Sequence, residues 1–383
     1  MFSRRHCLKI AFHANQLSER GCELALFDYC RYSKLLLGCQ PVVFYGLDAP
    51  GNDSGVIERF AREFDLVGYR SFSTVDEQIA AQGVDLFYAI KGGEVDGIYS
   101  RLVPTMVHAV FAQSPLEVHG SSYAYISEWL AWKCSGSLLP AVPFIVHAPE
   151  APNPLTLRHQ LGIPAAATVY ACYGGASSFD LEFVRQDVIP KVLQIRPDIH
   201  FLFMNFKRFI SHPRVHFLPR STDIRFKENF VAASDAMLHA RRQGESFGLA
   251  CAEFSAQGKP IFAYRNTPDR HPQFVLGDAI HLYSNSDELV GKLLSFDRLA
   301  PSHPGVCAYL DRYSPDAVME AFDRFLIYPA LRTGGIGVRL TVLTQPWRRT
   351  LSPIFRGFFW HLQIAFRRSS RLMRLLLSKL RNS

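Results

Sequence analysis

The segment that most constrains the fold is residues 236–264, where two short apolar runs flank a glycine loop and a helix-like stretch. The first run spans residues 236–240, and the second spans residues 259–264 after Gly258. Strand, loop, helix, glycine stop and strand in this order predict one parallel α/β unit. In such units ligands bind outside the carboxyl ends of the strands, so the glycine loop is the first place to look for a site.

Two acidic residues mark that loop and the helix after it. Glu245 lies in the loop, and Glu253 follows eight positions later. If the helix begins near Phe247, both carboxylates lie on the same side of it. Backbone N–H groups at a helix start attract phosphate, and carboxylates accept hydrogen bonds from hydroxyls. The pattern therefore indicates a ligand with both phosphate and sugar hydroxyls, although an ordinary helix cap with a solvated Glu253 is the alternative.

The segment E-S-F-G-L-A-C-A-E-F-S-A-Q-G-K-P-I-F resembles the E-x7-E signature of retaining glycosyltransferases of family 4. The resemblance is good over residues 168–327 and looser over 8–147. It implies the α/β GT-B fold, in which two Rossmann-like domains face a central cleft. The implied activity is sugar transfer from a nucleotide-diphosphate sugar donor, with retention, in surface polysaccharide or glycolipid synthesis. No cofactor is implied, because the donor is a substrate.

The resemblance also assigns roles to residues. Glu245 would be catalytic and bind hydroxyls of the donor sugar, while Glu253 would hold the ribose diol. The start of the helix and the first loop of the second domain would bind the rest of the donor through Ser246, Phe247, Gly248, Leu249, Gly174 and Gly175.

The sequence departs from the family where the leaving diphosphate needs cations. Family members usually carry an Arg and a Lys in the first loop of the second domain, and residues 174–178 have neither. Arginine forms bidentate contacts with phosphate, so nearby basic residues are the natural substitutes. The candidates are Lys207, Arg208, Arg241 and Arg242, each of which is alternatively a solvated surface charge.

The first domain offers candidates for the acceptor side. His108 and His119 fall where family members often keep a histidine that faces the sugar. His119 precedes a small-residue turn, and the resemblance implies that it is exposed and catalytic. His108 ends a predicted strand and is an acceptor-binding candidate, with a satisfied core histidine as the alternative. The loop after the first strand contributes Arg20 and Gly21 as acceptor-binding candidates, with a plain turn as the alternative.

Alternating strand and helix patterns organise the chain into two domains and a tail. A proline- and alanine-rich linker begins near residue 147. It predicts an acceptor domain over 1–150, a donor domain over 151–330 and a separate tail over 331–383. The predicted strands are 8–14, 41–45, 85–90, 105–111, 168–175, 200–204, 215–219, 236–240, 259–264 and 279–283. The predicted helices are 22–37, 56–63, 76–82, 181–195, 227–233 and 287–296, with a closing helix near 309–319.

The basic charge belongs to the tail. Residues 331–383 hold eleven of the 42 Lys and Arg and none of the 34 Asp and Glu, so the rest of the chain is slightly acidic. A nucleic-acid enzyme more often has its basic patch on the folded body, so we expect no nucleic acid partner. The eight cysteines form no C-x-x-C pair, and no Asp-x-Asp motif occurs. We therefore expect a reduced, cytoplasmic protein with no metal site.

The tail has helical spacing of apolar residues with a basic opposite face. Phe, Trp and Leu recur through residues 353–383 between arginines. Basic amphipathic helices of this kind lie on anionic membrane surfaces, so we expect peripheral attachment at the inner face of a membrane. A glycan or lipid-linked acceptor would suit that location. Docking of the helix on the body or on a partner is the alternative.

Two other functions use the same fold. One is a related enzyme of different chemistry, such as a sugar-nucleotide epimerase or an inverting transferase. The other is a non-catalytic membrane-associated scaffold, which the absence of first-loop cations favours.

We predict that the tail carries membrane binding. At low salt, full-length protein should sediment with phosphatidylserine-containing vesicles, and a chain ending at Leu331 should stay in the supernatant. Each cation near an anionic leaflet contributes about 1 kcal/mol, and salt screens this attraction, so binding should fall at high salt. Neutral phosphatidylcholine vesicles are the control. Identical sedimentation of the two chains would contradict the membrane interpretation.

Overall fold

The computed structural model describes residues 7–18, 21–221 and 223–332. Arg20 and the predicted amphipathic segment 353–383 lie outside the described residues, and so does the tail beyond Arg332. Their proposed roles therefore stay predictions.

The first lobe is built on a parallel sheet with the strand order β3-β2-β1-β4-β5-β6. β1 and β4 are buried almost throughout, as expected for central strands covered by helices on both faces. The strands are β1 (Lys9–Ala14), β2 (Gln40–Gly46), β3 (Asp65–Tyr69), β4 (Leu86–Lys91), β5 (Thr105–Ala109) and β6 (Ser122–Tyr125). The helices are α1 (Gly21–Leu37), α2 (Ser54–Ala61), α3 (Val75–Gln82) and α4 (Glu128–Ser135). The sequence pattern does not predict β3 or β6, which are short and contain polar residues.

The second lobe repeats this architecture with the strand order β14-β12-β10-β7-β8-β9. Its strands are β7 (Thr168–Tyr173), β8 (Ile199–Met204), β9 (Val215–Leu218), β10 (Ala236–His239), β12 (Ile261–Tyr264) and β14 (Ile280–Tyr283). A separate two-stranded pair consists of β11 (Gly244–Glu245) and β13 (Asp269–Arg270). The helices are α5 (Pro154–Gln160), α6 (Ile189–Ile195), α7 (Ile224–Ala232), α8 (Leu249–Ala256), α9 (His271–Leu276), α10 (Ser286–Ser295), α11 (Ala308–Arg312) and α12 (Pro315–Phe322).

The strand order determines where a ligand can bind. In both sheets the order in which strands are added reverses at a central parallel pair, β1 beside β4 in the first lobe and β7 beside β10 in the second. At such a switch point the flanking connections leave on opposite faces, which opens a crevice at the carboxyl ends of the strands. The predicted α/β class with two Rossmann-like domains facing a cleft is confirmed. Nothing tests the predicted boundaries at residues 150 and 330.

Helix α12, near the end of the described residues, packs against the first lobe. The ring of Phe322 on α12 lies 5.2 Å from the ring of Tyr29 and 5.3 Å from that of Tyr88, between centroids. Just beyond α12, the carbonyl of Leu326 accepts a hydrogen bond from Ser122 at 2.8 Å. The chain therefore crosses between the lobes twice, so their relative placement rests on packing as well as on the linker.

We predict that Phe322→Ala destabilises the protein by about 3–5 kcal/mol, the usual loss when a buried aromatic side chain is truncated. Urea unfolding followed by circular dichroism measures the loss. Tyr328→Ala is the matched control, because that side chain is 45% exposed. Equal midpoints for the two variants would show that the Phe322 cluster does not hold α12 on the first lobe.

Candidate functional site

The two lobes enclose a cleft of about 790 Å³ at the carboxyl ends of the central strands. The first lobe contributes residues that follow β1, such as Gln16 and Ser18. The second contributes residues 172–178, which end β7 and follow it, and also His239 at the end of β10 and Arg241 after it. The cleft therefore lies between the switch point of the first sheet and that of the second, as the strand orders predict.

Glu245 faces this cleft from β11. Its Oε1 lies 3.1 Å from Nε2 of His239, and its Oε2 accepts a hydrogen bond from Arg241 at 2.9 Å. Burial on its own would raise the pKa of Glu245, but the hydrogen bonds and charges of His239 and Arg241 outweigh it and lower the pKa below the usual value. The carboxylate is therefore held ionised beside the cavity.

Glu253 lines the same cleft from α8 and also a smaller adjoining cavity of about 120 Å³. Burial raises the pKa of Glu253 to about 7, although the charge of His147 acts in the opposite direction. His147 is itself held by Asp28, whose Oδ2 lies 3.0 Å from Nε2 of the ring. The prediction that both acids lie on the same side of the helix start is confirmed, but the structure places the two carboxyls in opposite electrostatic environments.

Helix α8 begins one or two residues later than expected, at Leu249, with Gly248 as its N-cap. Gly248 has φ of 87°, and no side chain caps the helix. A Cβ at this position would lie 3.0 Å from Cβ of Glu245, so glycine allows the Glu245 loop to pack against the helix start. The first N–H groups of α8 thus receive no side-chain cap, and Leu249 reaches the cleft wall. Uncapped N–H groups of this kind favour an anion.

The side chain of Phe247 does not line the cleft. It is buried among aromatic rings, with centroid distances of 5.2 Å to Phe144 and 4.9 Å to His271. Apolar burial explains the placement, and only the backbone of Phe247 remains a candidate for ligand contact. Ser246 is partly buried between Glu245 and Phe247 and is not among the residues that line the cleft.

The predicted cations divide into two groups. Arg241 lines the cleft, whereas Lys207, Arg208 and Arg242 are exposed and lie outside its lining. The guanidinium of Arg208 instead lies 5.5 Å from the ring centroid of Phe217. The three exposed side chains are not part of the cleft lining, so their assignment to donor binding stays a prediction.

The cleft contains two other cations that the sequence analysis missed. Arg220 and Lys227 line it from the connection after β9 and from α7. Arg220 also donates to Oδ2 of Asp53 in the first lobe at 3.1 Å, which links the two walls. A signal was present for Arg220, because it follows a predicted strand at the end where ligands bind. His239 was missed although it ends the strand that precedes the motif.

The glycine pair after β7 lies where predicted. Gly174 and Gly175 both line the cleft. The amide of Asn205 donates to the carbonyl of Gly174 at 2.7 Å and fixes that turn. A Cβ at Gly175 would meet no atom within 4 Å, so its backbone is open to a ligand.

The two predicted histidines are not in the cleft. His108 is fully buried, with Nδ1 2.7 Å from the Tyr88 hydroxyl and Nε2 2.8 Å from the carbonyl of Val142, and burial lowers its pKa to about 4. It is a core histidine, and the acceptor-binding prediction is wrong.

His119 is also buried, with Nδ1 2.6 Å from the carbonyl of Glu117. It lies three residues before β6, and the neighbouring Ser121 donates to the carbonyl of Thr105, the first residue of β5. This is the amino edge of the sheet, opposite the cleft. The prediction of an exposed catalytic His119 is therefore wrong, because the turn that follows β5 returns to the far edge.

Gly21 is the acceptor-side candidate that the structure retains. It begins α1 and lines the cleft. A Cβ at Gly21 would lie 3.2 Å from Cδ1 of Leu249 in the other lobe, so a small residue permits the lobes to approach.

The arrangement combines groups for two kinds of ligand chemistry. Arg220, Lys227 and Arg241 and the start of α8 suit a diphosphate, and Glu245 and Glu253 suit hydroxyls. In residues 7–18, 21–221 and 223–332, no three His, Cys, Asp or Glu side chains group as metal ligands would. Over the same ranges, none of the helices has the length and apolar character needed to cross a bilayer.

No protein-family profile and no curated protein sequence matches the chain. Solved structures match its fold. A glycosyltransferase from Rickettsia africae aligns over 86% of this chain and 97% of its own, with a TM-score of 0.59 and 13% identity. Anabaena Alr3699/HepE in complex with UDP aligns over 83% of this chain and 99% of its own, with a TM-score of 0.62 and 16% identity.

A putative UDP-N-acetylglucosamine 2-epimerase from Listeria monocytogenes also matches, over 86% of this chain and 96% of its own, with a TM-score of 0.54 and 12% identity. At such low identity the similarity shows the fold. The chain therefore has the GT-B fold that the motif implies.

We predict that Glu253→Gln stabilises the protein at pH 8 more than at pH 5. A pKa raised to about 7 means that folding favours the protonated carboxyl. That contribution is fully present below the usual pKa near 4.5 and is lost as pH rises through 7. Glutamine stays neutral, so the gain in unfolding free energy should be about 2 kcal/mol larger at pH 8.

Urea unfolding at the two pH values measures the difference. Glu320→Gln, at an exposed position on α12, is the control. A gain that does not change with pH would show that Glu253 is not held in a desolvated site.

Proposed function

We propose that this protein is a GT-B glycosyltransferase that moves a sugar from a nucleotide-diphosphate sugar to an acceptor hydroxyl with retention of configuration. The observation that carries the proposal is the placement of Glu245 and Glu253 in one cleft with Arg220 and Lys227. Two carboxylates without cations would repel the diphosphate, and cations alone would not select a sugar.

The diphosphate binds at the second-lobe wall in this proposal. Arg220 and Lys227 neutralise its charge, and the uncapped start of α8 accepts one phosphate at its N–H groups. Glu253, one turn inside the helix, accepts hydrogen bonds from the ribose diol. These cations take the place of the first-loop Arg and Lys that residues 174–178 lack.

Donor binding would change the partner of Arg220. Its guanidinium pairs with Asp53 across the cleft, and both side chains keep access to water, at 60% and 26% exposure. An exposed pair of this kind contributes at most about 1 kcal/mol. A diphosphate with more charge and more acceptor oxygens replaces Asp53 at little cost.

The sugar lies against Glu245, which His239 and Arg241 keep ionised. In retaining transfer the acceptor hydroxyl approaches on the face from which the diphosphate departs. The bond from the anomeric carbon to the phosphate oxygen breaks, the bond to the acceptor oxygen forms, and the acceptor proton passes to the leaving phosphate. The protein supplies position and charge stabilisation, which provide most of the acceleration in such reactions.

Similar proteins support the nature of the donor. Structures of Anabaena HepE, which shares the fold, are complexes with UDP and with UDP-glucose. The retaining outcome and membership of family 4 depend on the E-x7-E motif. The acceptor proposal depends on the tail sequence: a glycan or lipid-linked acceptor, reached from the cytoplasmic face of a membrane through residues 353–383 and used in surface polysaccharide or glycolipid synthesis.

A sugar-nucleotide epimerase is the second candidate, and the similarity to the Listeria epimerase favours it. An epimerase would convert the nucleotide sugar without any acceptor, and an inverting transferase would give the opposite anomer. Product analysis by NMR, with and without acceptor, distinguishes these two outcomes from retaining transfer.

We predict that a nucleotide diphosphate and its sugar raise the unfolding temperature of the wild-type protein. A ligand that binds only the folded state stabilises it, so a screen of uridine, guanosine and adenosine diphosphates and their sugars identifies the donor. No shift with any of them would favour the non-catalytic scaffold.

We predict that Glu245→Gln lowers the turnover number for that donor about 10²–10³-fold, because an uncharged amide loses the charge-assisted contact to the sugar. Affinity for the nucleotide diphosphate should remain, since Glu253, Arg220 and Lys227 are intact. Glu182→Gln, at a side chain 69% exposed, is the control. Unchanged turnover in Glu245→Gln would remove this carboxylate from the reaction.

A further inference from the structure

Helix α4 of the first lobe reaches the second lobe close to the Glu245 strand. Nζ of Lys133 donates to Oδ1 of Asp269 at 2.6 Å and to the carbonyl of Pro268 at 3.2 Å. The Lys133 and Asp269 side chains are only 19% and 12% exposed. A desolvated ion pair of this kind is costly to break from one side, because the remaining charge loses its partner inside the protein.

Asp269 is joined directly to the strand that carries Glu245. Gly244 pairs with Asp269, and Glu245 pairs with Arg270, in the β11–β13 ladder. The amide of Gln243 also donates to Oδ2 of Asp269 at 2.7 Å. A Cβ at Gly244 would lie 2.0 Å from the carbonyl oxygen of Asp269, so the two backbones are in close contact. A displacement of Asp269 therefore moves the backbone of Glu245.

The same helix makes a second link to this loop. Oε2 of Glu128 lies 3.3 Å from Nε2 of His271 and accepts a hydrogen bond from the Tyr313 hydroxyl at 3.1 Å. Nδ1 of His271 lies 2.9 Å from the carbonyl of Phe247 and must donate to it, because a carbonyl only accepts. Helix α4 thus reaches the Glu245 loop by two routes. Lys133 contacts Pro268 and Asp269 beside the paired strand, and Glu128 contacts His271, which in turn holds the carbonyl of Phe247.

We propose that helix α4 of the first lobe positions Glu245 in the second lobe, with Lys133 as the positioning residue that acts through Asp269. The inference rests on the proposed function for its catalytic consequence. The sugar-contacting carboxylate keeps its geometry only while α4 is docked, so the placement of the lobes determines whether the sugar site is assembled. Displacement of a catalytic group by about 1 Å can cost two orders of magnitude in rate.

The test compares Lys133→Met, which keeps the stem and removes the charge, with the wild type. Lys191→Met is the matched control, because it removes a lysine from an exposed ion pair with Asp287 within the second lobe. In the unliganded proteins, hydrogen exchange should be at least about tenfold faster over residues 243–248 in Lys133→Met and unchanged in Lys191→Met.

The kinetic readout separates positioning from folding. For Lys133→Met, kcat should fall about tenfold or more, and the Kd for the nucleotide diphosphate should stay at the wild-type value, because Lys133 touches no nucleotide-binding group. The difference in affinity between the nucleotide sugar and the nucleotide diphosphate alone should also become smaller. Lys133→Arg, which restores the charge, should recover kcat. The double variant Lys133→Met with Asp269→Asn should have a higher kcat than Lys133→Met alone, because it no longer leaves a buried carboxylate without its partner.

The outcomes are distinguishable. Unchanged exchange over residues 243–248 in Lys133→Met, or unchanged kcat with faster exchange, would overturn the positioning role. Loss of nucleotide binding in proportion to stability would also overturn it, since that result indicates general unfolding. If the wild type binds no nucleotide sugar while the exchange difference appears, the proposed function fails and the mechanical link from α4 to the Glu245 strand stands.

Discussion

Desolvation of two carboxyl groups beside one cavity is the constraint on which the candidate site depends. A buried carboxylate is costly unless opposite charge or hydrogen bonds compensate it. Glu245 has this compensation from His239 and Arg241, and its pKa is lowered. Glu253 has less, and its pKa rises to about 7. The environment therefore shifts the pKa values of two residues of the same type in opposite directions, which is how paired carboxyls acquire different roles.

The same cavity depends on contacts between the lobes. The cleft exists because two sheets present their switch points to each other. The contacts that hold that arrangement include the aromatic packing of Phe322 on the first lobe, the Asp53–Arg220 pair at the cleft, and the docking of α4 on residues 268–271. The packing of Phe322 is apolar and fully buried. The exposed Asp53–Arg220 pair is the one that a charged ligand can replace, so ligand binding and lobe placement are physically connected.

Much of the fold could be predicted from local pattern, and less of the site. The sequence correctly predicts the strand–loop–helix unit around Glu245 and Glu253, because apolar periodicity and glycines at the ends of elements are local signals. The same reasoning failed at His119, which precedes a glycine turn as a ligand-facing histidine could, yet lies at the amino edge of the sheet. The position of Lys207 and Arg208 after a strand likewise did not reveal that their side chains are exposed and outside the cleft lining.

The sequence by itself determined the α/β class, the glycine loop and the helix that carry the two acids, because these depend on residues within a few turns of each other. Only the tertiary structure decided which cations face the cleft, since Arg220 and Lys227 become neighbours of Glu253 through the order of the strands. It also decided the direction in which the pKa of each acid shifts, because burial and the partners His239, Arg241 and His147 come from separate segments. The electrostatic environment of a side chain depends on distances between groups in the folded protein, and the spacing of residues along the sequence does not give those distances.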